Sequence, residues 1–222
     1  MLTSLLTSSL TSLLTSLLAS LLVSSLTSVL PPQTLAFEGH SGPLTGVHVH
    51  PYYRDVGDGG EASMKWSEIS SRWGEMLLTC STDWTVTLWT HKSTSAQQMV
   101  HRIKVMEDAD DYVYDVQWSP LHPALFAAVD GTGTIALWNL AEDMEVPANT
   151  LKVSEHALNK LRWFPHRDAP GSSGSAHKIA TGDCSGAVVV LDVDARIAMP
   201  MAEVWGKFTK AIAEKVHELE LE

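Results

Sequence analysis

One unit occurs three times in this chain and constrains its fold more than any other feature. Each copy has an apolar run, a tight polar turn and a second apolar run ending in tryptophan or leucine, at residues 77–89, 124–138 and 179–191. The ends of the copies lie 49 and 53 residues apart. A repeat of this length, built from such hairpins, is typical of a β-propeller. Because such folds mostly bind and scaffold, the repeats direct attention to surfaces rather than to catalytic residues.

Each hairpin is preceded by another predicted strand that ends at a proline. Apolar and polar residues alternate in these strands, as expected when one face is buried, at residues 46–51, 115–120 and 160–165. Proline ends each strand because it has no N–H to donate to a ladder. A weaker fourth strand is predicted after each hairpin, around residues 99–103, 151–153 and 197–199. We therefore predict an all-β fold, a partial WD-repeat β-propeller with three four-stranded blades at residues 36–104, 105–153 and 154–199.

The first blade carries the polar residues that are usual in WD-type repeats. They are His40, Thr79, Asp83 and Trp89. In that family these side chains form a hydrogen-bonded chain that holds the turn, so we interpret them as structural and not as catalytic. The other blades are degenerate, because alignment from their ends places Thr132 and Ser185 at the position of the turn aspartate.

Several aromatic residues are candidate partner contacts. Trp84 stands where most WD-type repeats have glycine, directly after the turn aspartate, and we predict that it contacts a partner or a neighbouring blade. The first blade also has a long insertion, residues 52–74, with Trp66 and Trp73. Two interpretations of these tryptophans remain open: they anchor a partner, or they fold back onto the blade.

The two ends of the chain lie outside the predicted blades. Residues 1–35 are almost entirely leucine, serine and threonine, and three interpretations remain open: a low-complexity extension or gene-prediction artefact, a membrane or targeting segment, and a soluble helix. Residues 200–222 are predicted to form an amphipathic helix with one apolar stripe, made of Trp205, Phe208, Ile212, Val216 and Leu219. We expect the propeller to cover Trp205 and Phe208, and a partner to cover the distal turns.

Composition excludes several classes of function. The net charge is −11 and no basic stripe occurs, so nucleic-acid binding is not expected. An acidic run at residues 107–111 is interpreted as solvated surface that can steer a basic partner. Cys80 and Cys184 are interpreted as buried, reduced thiols. His48 and His50 lack a third ligand, so we predict no metal site. The glycine-containing segments 130–133 and 182–186 are interpreted as hairpin turns, so we predict no cofactor and no catalytic residues.

Longer segments of the second and third blades, and one segment of the first blade, resemble the cytoplasmic dynein intermediate chain family. The resemblance lies in residues 83–90, 110–126, 130–131, 137–140, 145–147 and 157–163, and Trp205 and Phe208 fit the family's terminal helix. Tyr112 and Tyr114 lie in the second of these segments and are further candidate contacts, together with Trp205 and Phe208. The resemblance covers residues 38–216 and excludes residues 1–35 and most of the insertion.

The resemblance implies a non-catalytic subunit of a microtubule motor, cytoplasmic and associated with the cytoskeleton. In the family, the propeller binds the dynein heavy chain, and an N-terminal region binds light chains and dynactin. That region is missing here, as are earlier blades, so the chain resembles the C-terminal part of such a subunit. The alternative is a WD-repeat scaffold of another assembly, such as an axonemal or ciliary-transport dynein.

Overall fold

A computed structural model describes residues 35–51, 75–93, 98–164, 177–199 and 203–220 of the chain. The chain divides into two compact units, Met1–Glu38 and Gly39–Glu222, and the second contains every strand and helix given below. The insertion at residues 52–74, including Trp66 and Trp73, lies outside the described residues, as do residues 1–34 of the N-terminal extension.

The second unit contains three antiparallel sheets, each a simple meander. The first sheet has the order β1-β2-β3-β4, formed by Leu44–Val49, Glu75–Ser81, Val86–Ser93 and Gln98–Met106. The second has the order β5-β6-β7-β8, formed by Val113–Trp118, Leu125–Asp130, Thr134–Asn139 and Asn149–Lys152. The third has the order β9-β10-β11, formed by Leu158–Trp163, His177–Asp183 and Val188–Val193. The predicted all-β class and the three WD-type repeats are confirmed.

The predicted fourth strand of the third blade is wrong. Residues Ala195–Ala198 form a short helix, α1, where the sequence predicted a strand around residues 197–199. The side chain of Asp194 accepts a hydrogen bond from the Arg196 amide and caps this helix. Ala198 is buried in the core of the third sheet. The described part of the third sheet therefore has three strands.

The first strands of the three sheets lie side by side, β1 against β5 and β5 against β9. Polar contacts connect these inner strands, because the Trp118 amide donates to His48 Nδ1 over 3.0 Å and the Leu161 amide donates to Asp115 Oδ2 over 3.1 Å. One apolar core lies between the first and second sheets and another between the second and third. This succession of packed sheets around inner strands is the architecture of a propeller.

A long helix, α2, covers Val204–Glu220 and packs on the first core. The Phe208 ring lies 6.4 Å from the ring of His50 and 6.5 Å from that of Trp118, between ring centroids. Ile212 and Val216 are also buried in this core. Of the predicted apolar stripe, Phe208, Ile212 and Val216 are buried and Leu219 is exposed. The expectation that a partner covers the distal turns is therefore wrong at Ile212 and Val216, because the chain's own sheets bury them.

The two outermost sheet faces remain uncovered by the described residues. Val47 on β1 is 64% exposed, whereas Val116, at the equivalent position of the second sheet, is 1% exposed. Val188 on β11 is 73% exposed, whereas the equivalent Val86 of the first sheet is 4% exposed. Both outer faces therefore carry the apolar residues that pack sheet against sheet inside the unit.

Candidate partner-binding surface

The three hairpin turns lie at one end of the sheets, which we call the turn end. In the strand registers, Leu44 pairs with Ser81, Val113 with Asp130 and Leu158 with Asp183. Each pair joins the start of an inner strand to the start of a turn. The turns at residues 81–85, 130–134 and 183–187 therefore share this end with the starts of β1, β5 and β9.

The predicted polar residues of the first blade form one continuous hydrogen-bonded chain. Trp89 Nε1 donates to Thr79 Oγ1 over 2.8 Å. Thr79 Oγ1 lies 2.7 Å from His40 Nε2, and His40 Nδ1 lies 2.9 Å from Asp83 Oδ2. The four side chains therefore lie within hydrogen-bonding reach of one another in the order Trp89, Thr79, His40 and Asp83, which is not their order in the sequence.

Asp83 is the most heavily bonded member of this chain. Its carboxylate accepts from the Ser41 amide over 2.8 Å and from the Thr85 hydroxyl over 2.7 Å, in addition to His40. Burial by itself raises the pKa of Asp83, but the hydrogen bonds from Thr85, Ser41 and His40 outweigh burial and lower this pKa to about 2. The carboxylate is therefore ionised, and both of its oxygens take part in hydrogen bonds, which supports a structural role.

The other two turns use a different carboxylate, which the sequence reasoning missed. Asp130 Oδ1 accepts from the amides of Thr132 and Thr134, each over 3.0 Å. Asp183 Oδ1 accepts from the amides of Ser185 and Ala187, each over 2.9 Å. Both aspartates stand at the first turn position, where the first turn has a serine. The signal was an aspartate two residues before threonine or serine, which is the pattern of an Asx-turn.

The predicted equivalence of Asp83, Thr132 and Ser185 is confirmed, because each occupies the third position of its five-residue turn. The fourth position has a positive φ in all three turns. It is occupied by Trp84 with a φ of 71°, Gly133 with 91° and Gly186 with 90°. Trp84 is the one non-glycine residue with a positive φ among the described residues, and its side chain is 49% exposed. A bulky residue in this conformation is strained, because its Cβ crowds the backbone.

A cavity of about 330 Å³ opens beside Trp84, between the first and second sheets. Buried apolar residues form part of its lining, among them Val86, Met106 and Trp138. Three carboxylate residues also line it, namely Asp108, Asp110 and Asp130. The turn end therefore combines a concave apolar surface, an exposed indole and negative charge.

The remaining candidate contacts are distributed over different parts of the structure. Tyr112 is exposed and Tyr114 is half-buried at the start of β5, and their rings meet edge to face with centroids 6.4 Å apart. Phe208 is a core residue of this unit and not a surface contact, because its side chain is fully buried. Trp205 lies in α2, but its side chain is not among those that the structure describes.

The histidines and cysteines have ordinary structural surroundings. His50 is buried, its Nε2 lies 2.7 Å from the Pro123 carbonyl, and burial lowers its pKa to about 4. Burial likewise raises the pKa of the Cys80 thiol to about 12. Cys184 is exposed, contrary to the sequence interpretation, because it lies in the β10–β11 turn and not in a strand. Within the described ranges, no cluster of three or more histidine, cysteine, aspartate or glutamate side chains is arranged to hold a metal ion.

Helices of the described segments are too short or too polar to cross a bilayer.

Comparison with known proteins decides the family. No protein-family model matches the chain. A curated protein, the cytoplasmic dynein 1 intermediate chain of Drosophila melanogaster, is 37% identical over 179 residues, which is 80% of this chain. The chain is related to the cytoplasmic dynein intermediate chains. The identity confirms the resemblance seen in the repeat motifs. The chain spans 22% of the length of that relative.

Proposed function

We propose that this chain is a non-catalytic intermediate-chain subunit of a dynein motor complex and that it binds the dynein heavy chain through its WD-repeat sheets. The observation that carries this proposal is 37% identity to a cytoplasmic dynein intermediate chain over 179 residues. Support for heavy-chain binding comes from the family resemblance and from the exposed aromatic residues at the turn end.

The two uncovered sheet faces favour further blades as their packing partners. Val47 and Val188 stand at positions that are buried wherever two sheets of this unit meet. Closed propellers have four to eight blades, so we propose that these three sheets belong to a larger ring. In that ring the outer faces are covered, and the turn end remains available to a partner.

The same proposal includes an association with the cytoskeleton in the cytoplasm, as the name of the relative indicates. Light chains and dynactin are further partners of the family, but no described residue of this chain is assigned to them. We assign no catalytic role to Asp83, because hydrogen bonds from the Ser41 amide and the Thr85 hydroxyl hold its carboxylate.

Co-precipitation tests the proposal directly. The full 222-residue chain, with an affinity tag, is mixed with the tail region of a cytoplasmic dynein heavy chain and, in parallel, with that of an axonemal heavy chain. We expect retention of the cytoplasmic tail. Retention of the axonemal tail alone would indicate the alternative motor class.

Two variants test whether the turn end makes the contact, one within the turn end and one control outside it. Tyr112→Ala changes the turn end and is expected to weaken retention. Glu142→Gln changes an exposed residue that follows the end of β7, opposite the turn end, and is expected to have no effect. Absence of retention of either tail by a chain whose circular dichroism shows folded sheets would contradict the proposal.

A further inference from the structure

We propose that the cavity beside Trp84 binds the side chain of an arginine or lysine that a partner protein inserts between the first and second sheets. This inference holds whichever protein supplies the side chain, and so it does not depend on binding of the heavy chain. Three features of the cavity support the inference: the strained backbone of Trp84 at its rim, the apolar residues of its lining and the aspartates of its lining.

The turn requires a positive φ at its fourth position, but it does not require a tryptophan there. Glycine occupies the equivalent fourth position in the other two turns, at φ values of 91° and 90°. Trp84 adopts a φ of 71° at the same position and leaves 49% of its side chain exposed. Strained backbone of this kind concentrates at binding and catalytic sites, where function maintains it against the gain in stability that glycine offers.

The cavity has the size and lining of a site for a side chain. Its volume of about 330 Å³ is at the lower limit of the range typical of small-ligand pockets. Val86, Met106 and Trp138 are buried apolar residues of its lining. Arginine and lysine carry long apolar stems that pack on such a surface while the charged group remains near the rim.

The charge of the lining selects a cation over an anion or a neutral apolar group. Asp108 and Asp110 line the cavity, and within the described part of the chain neither takes part in an ion pair. Asp130 is also in the lining, but its Oδ1 is occupied by the amides of its own turn. The face of an indole attracts a cation. Trp84 and the carboxylates of Asp108 and Asp110 therefore all favour a positively charged ligand.

Nuclear magnetic resonance with a defined peptide tests this proposal. The probe is the synthetic peptide acetyl-Gly-Leu-Arg-Leu-Gly-amide, titrated into the full 222-residue chain labelled with ¹⁵N in its tryptophan indoles. We expect the Trp84 indole signal to shift in a saturable manner, and we expect the affinity to fall as salt concentration rises. The same peptide with norleucine in place of arginine is expected to leave the signal unchanged.

Matched variants separate binding from folding. We expect Trp84→Gly to abolish the binding measured by calorimetry while the melting temperature stays unchanged or rises, because glycine relieves the strained φ. We expect Asp108→Asn to weaken binding about threefold, the loss of one solvent-exposed charge contact. Glu142→Gln makes the same change of charge at an exposed residue outside the lining and is expected to leave affinity unaltered.

Three outcomes would overturn the proposal. An arginine peptide that leaves the Trp84 signal unmoved shows that the cavity takes no cation. Equal shifts with the norleucine peptide show an apolar site without charge selection. A lowered melting temperature of Trp84→Gly shows that the indole belongs to the core of the unit. Retention of the heavy chain together with any of these results would reject this inference and leave the proposed function intact.

Discussion

The first turn and the two later turns of this molecule share a positive φ at their fourth position, but different side chains stabilise them. In the first turn, Asp83 at the third position is held by His40 and Thr85, and the fourth position is a tryptophan. In the later turns an aspartate at the first position binds the turn amides, and the fourth position is glycine. The comparison shows that the five-residue turn does not depend on one fixed set of residues.

The comparison also separates local from long-range stabilisation. Asp130 and Asp183 bind amides within four residues of themselves, and Asp183 also accepts from the Ser154 hydroxyl, 29 residues earlier, over 2.8 Å. Asp83 is bonded to His40, which lies 43 residues earlier in the chain. Through His40 and Thr79, the first turn is therefore connected to the segment before β1 and to the middle of its sheet. We expect a substitution in the first turn to disturb more distant residues than a substitution in a later turn.

The largest effect in this comparison is expected for Gly133→Ala. A Cβ at this position would lie 2.0 Å from the Ser154 carbonyl oxygen and 2.7 Å from that of His156, in addition to the strain of a φ of 91°. Because these atoms belong to the backbone, they cannot move aside easily, and we expect a loss of about 3 kcal/mol in the free energy of unfolding. Urea denaturation measures this value, and a loss below about 1 kcal/mol would contradict the close approach of the two backbone segments.

The next effect concerns the network of the first turn. Asp83→Ala leaves His40 and the Thr85 hydroxyl without their shared acceptor, and we expect the variant to lose about 2 kcal/mol of unfolding free energy, within the usual range for unpaired buried groups. The same denaturation experiment measures it. Unchanged stability would show that this network does not hold the first turn.

A smaller effect is expected for Gly186→Ala, the matched control for Gly133→Ala. The two glycines have nearly equal φ values, but no atom lies within 4 Å of a Cβ built at Gly186. Backbone strain is then the one remaining cost, and we expect a loss of about 1 kcal/mol. If both alanine variants lose the same amount, the contact with Ser154 contributes nothing and the difference between the turns disappears.

The smallest effect is a pH dependence that belongs to the first turn. The pKa of Asp83 is lowered to about 2 in the folded chain, so its stabilising contribution is present above the ordinary carboxylate value near 4 and is lost as the pH falls from about 4 to 2. The difference in unfolding free energy between the wild type and Asp83→Asn is expected to shrink over this interval. A difference that stays constant between pH 4 and pH 2 would show that Asp83 is not held as an anion.

Local patterns predicted much of this structure. The hairpins and the proline-terminated strands follow from alternation and spacing within about 15 residues of sequence. The shared turn position of Asp83, Thr132 and Ser185 follows from counting back from the strand ends. These features depend on neighbours in the sequence, and the structure reproduces them.

Features that depend on distant parts of the chain could not be predicted in this way. Burial of Ile212 and Val216 requires the first and second sheets, which lie far earlier in the sequence. The cavity beside Trp84 requires two sheets to meet at one end, and no single motif describes it. The helix at Ala195–Ala198 was mistaken for a strand because a four-residue segment carries too little periodicity, although the capping aspartate was visible.

The central claim is that Trp84 is held in a strained conformation at the rim of a binding site. The most direct test of this claim is the order of stability of two variants at position 84. At an ordinary position alanine is more stable than glycine, because glycine loses more backbone entropy on folding. At a position held at a φ of 71° the order reverses. We predict that the unfolding free energy of Trp84→Gly exceeds that of Trp84→Ala by about 1 kcal/mol and is no lower than that of the wild type. A Trp84→Ala variant more stable than Trp84→Gly would contradict the account, because Trp84 would then not be held in strain at the rim of a binding site.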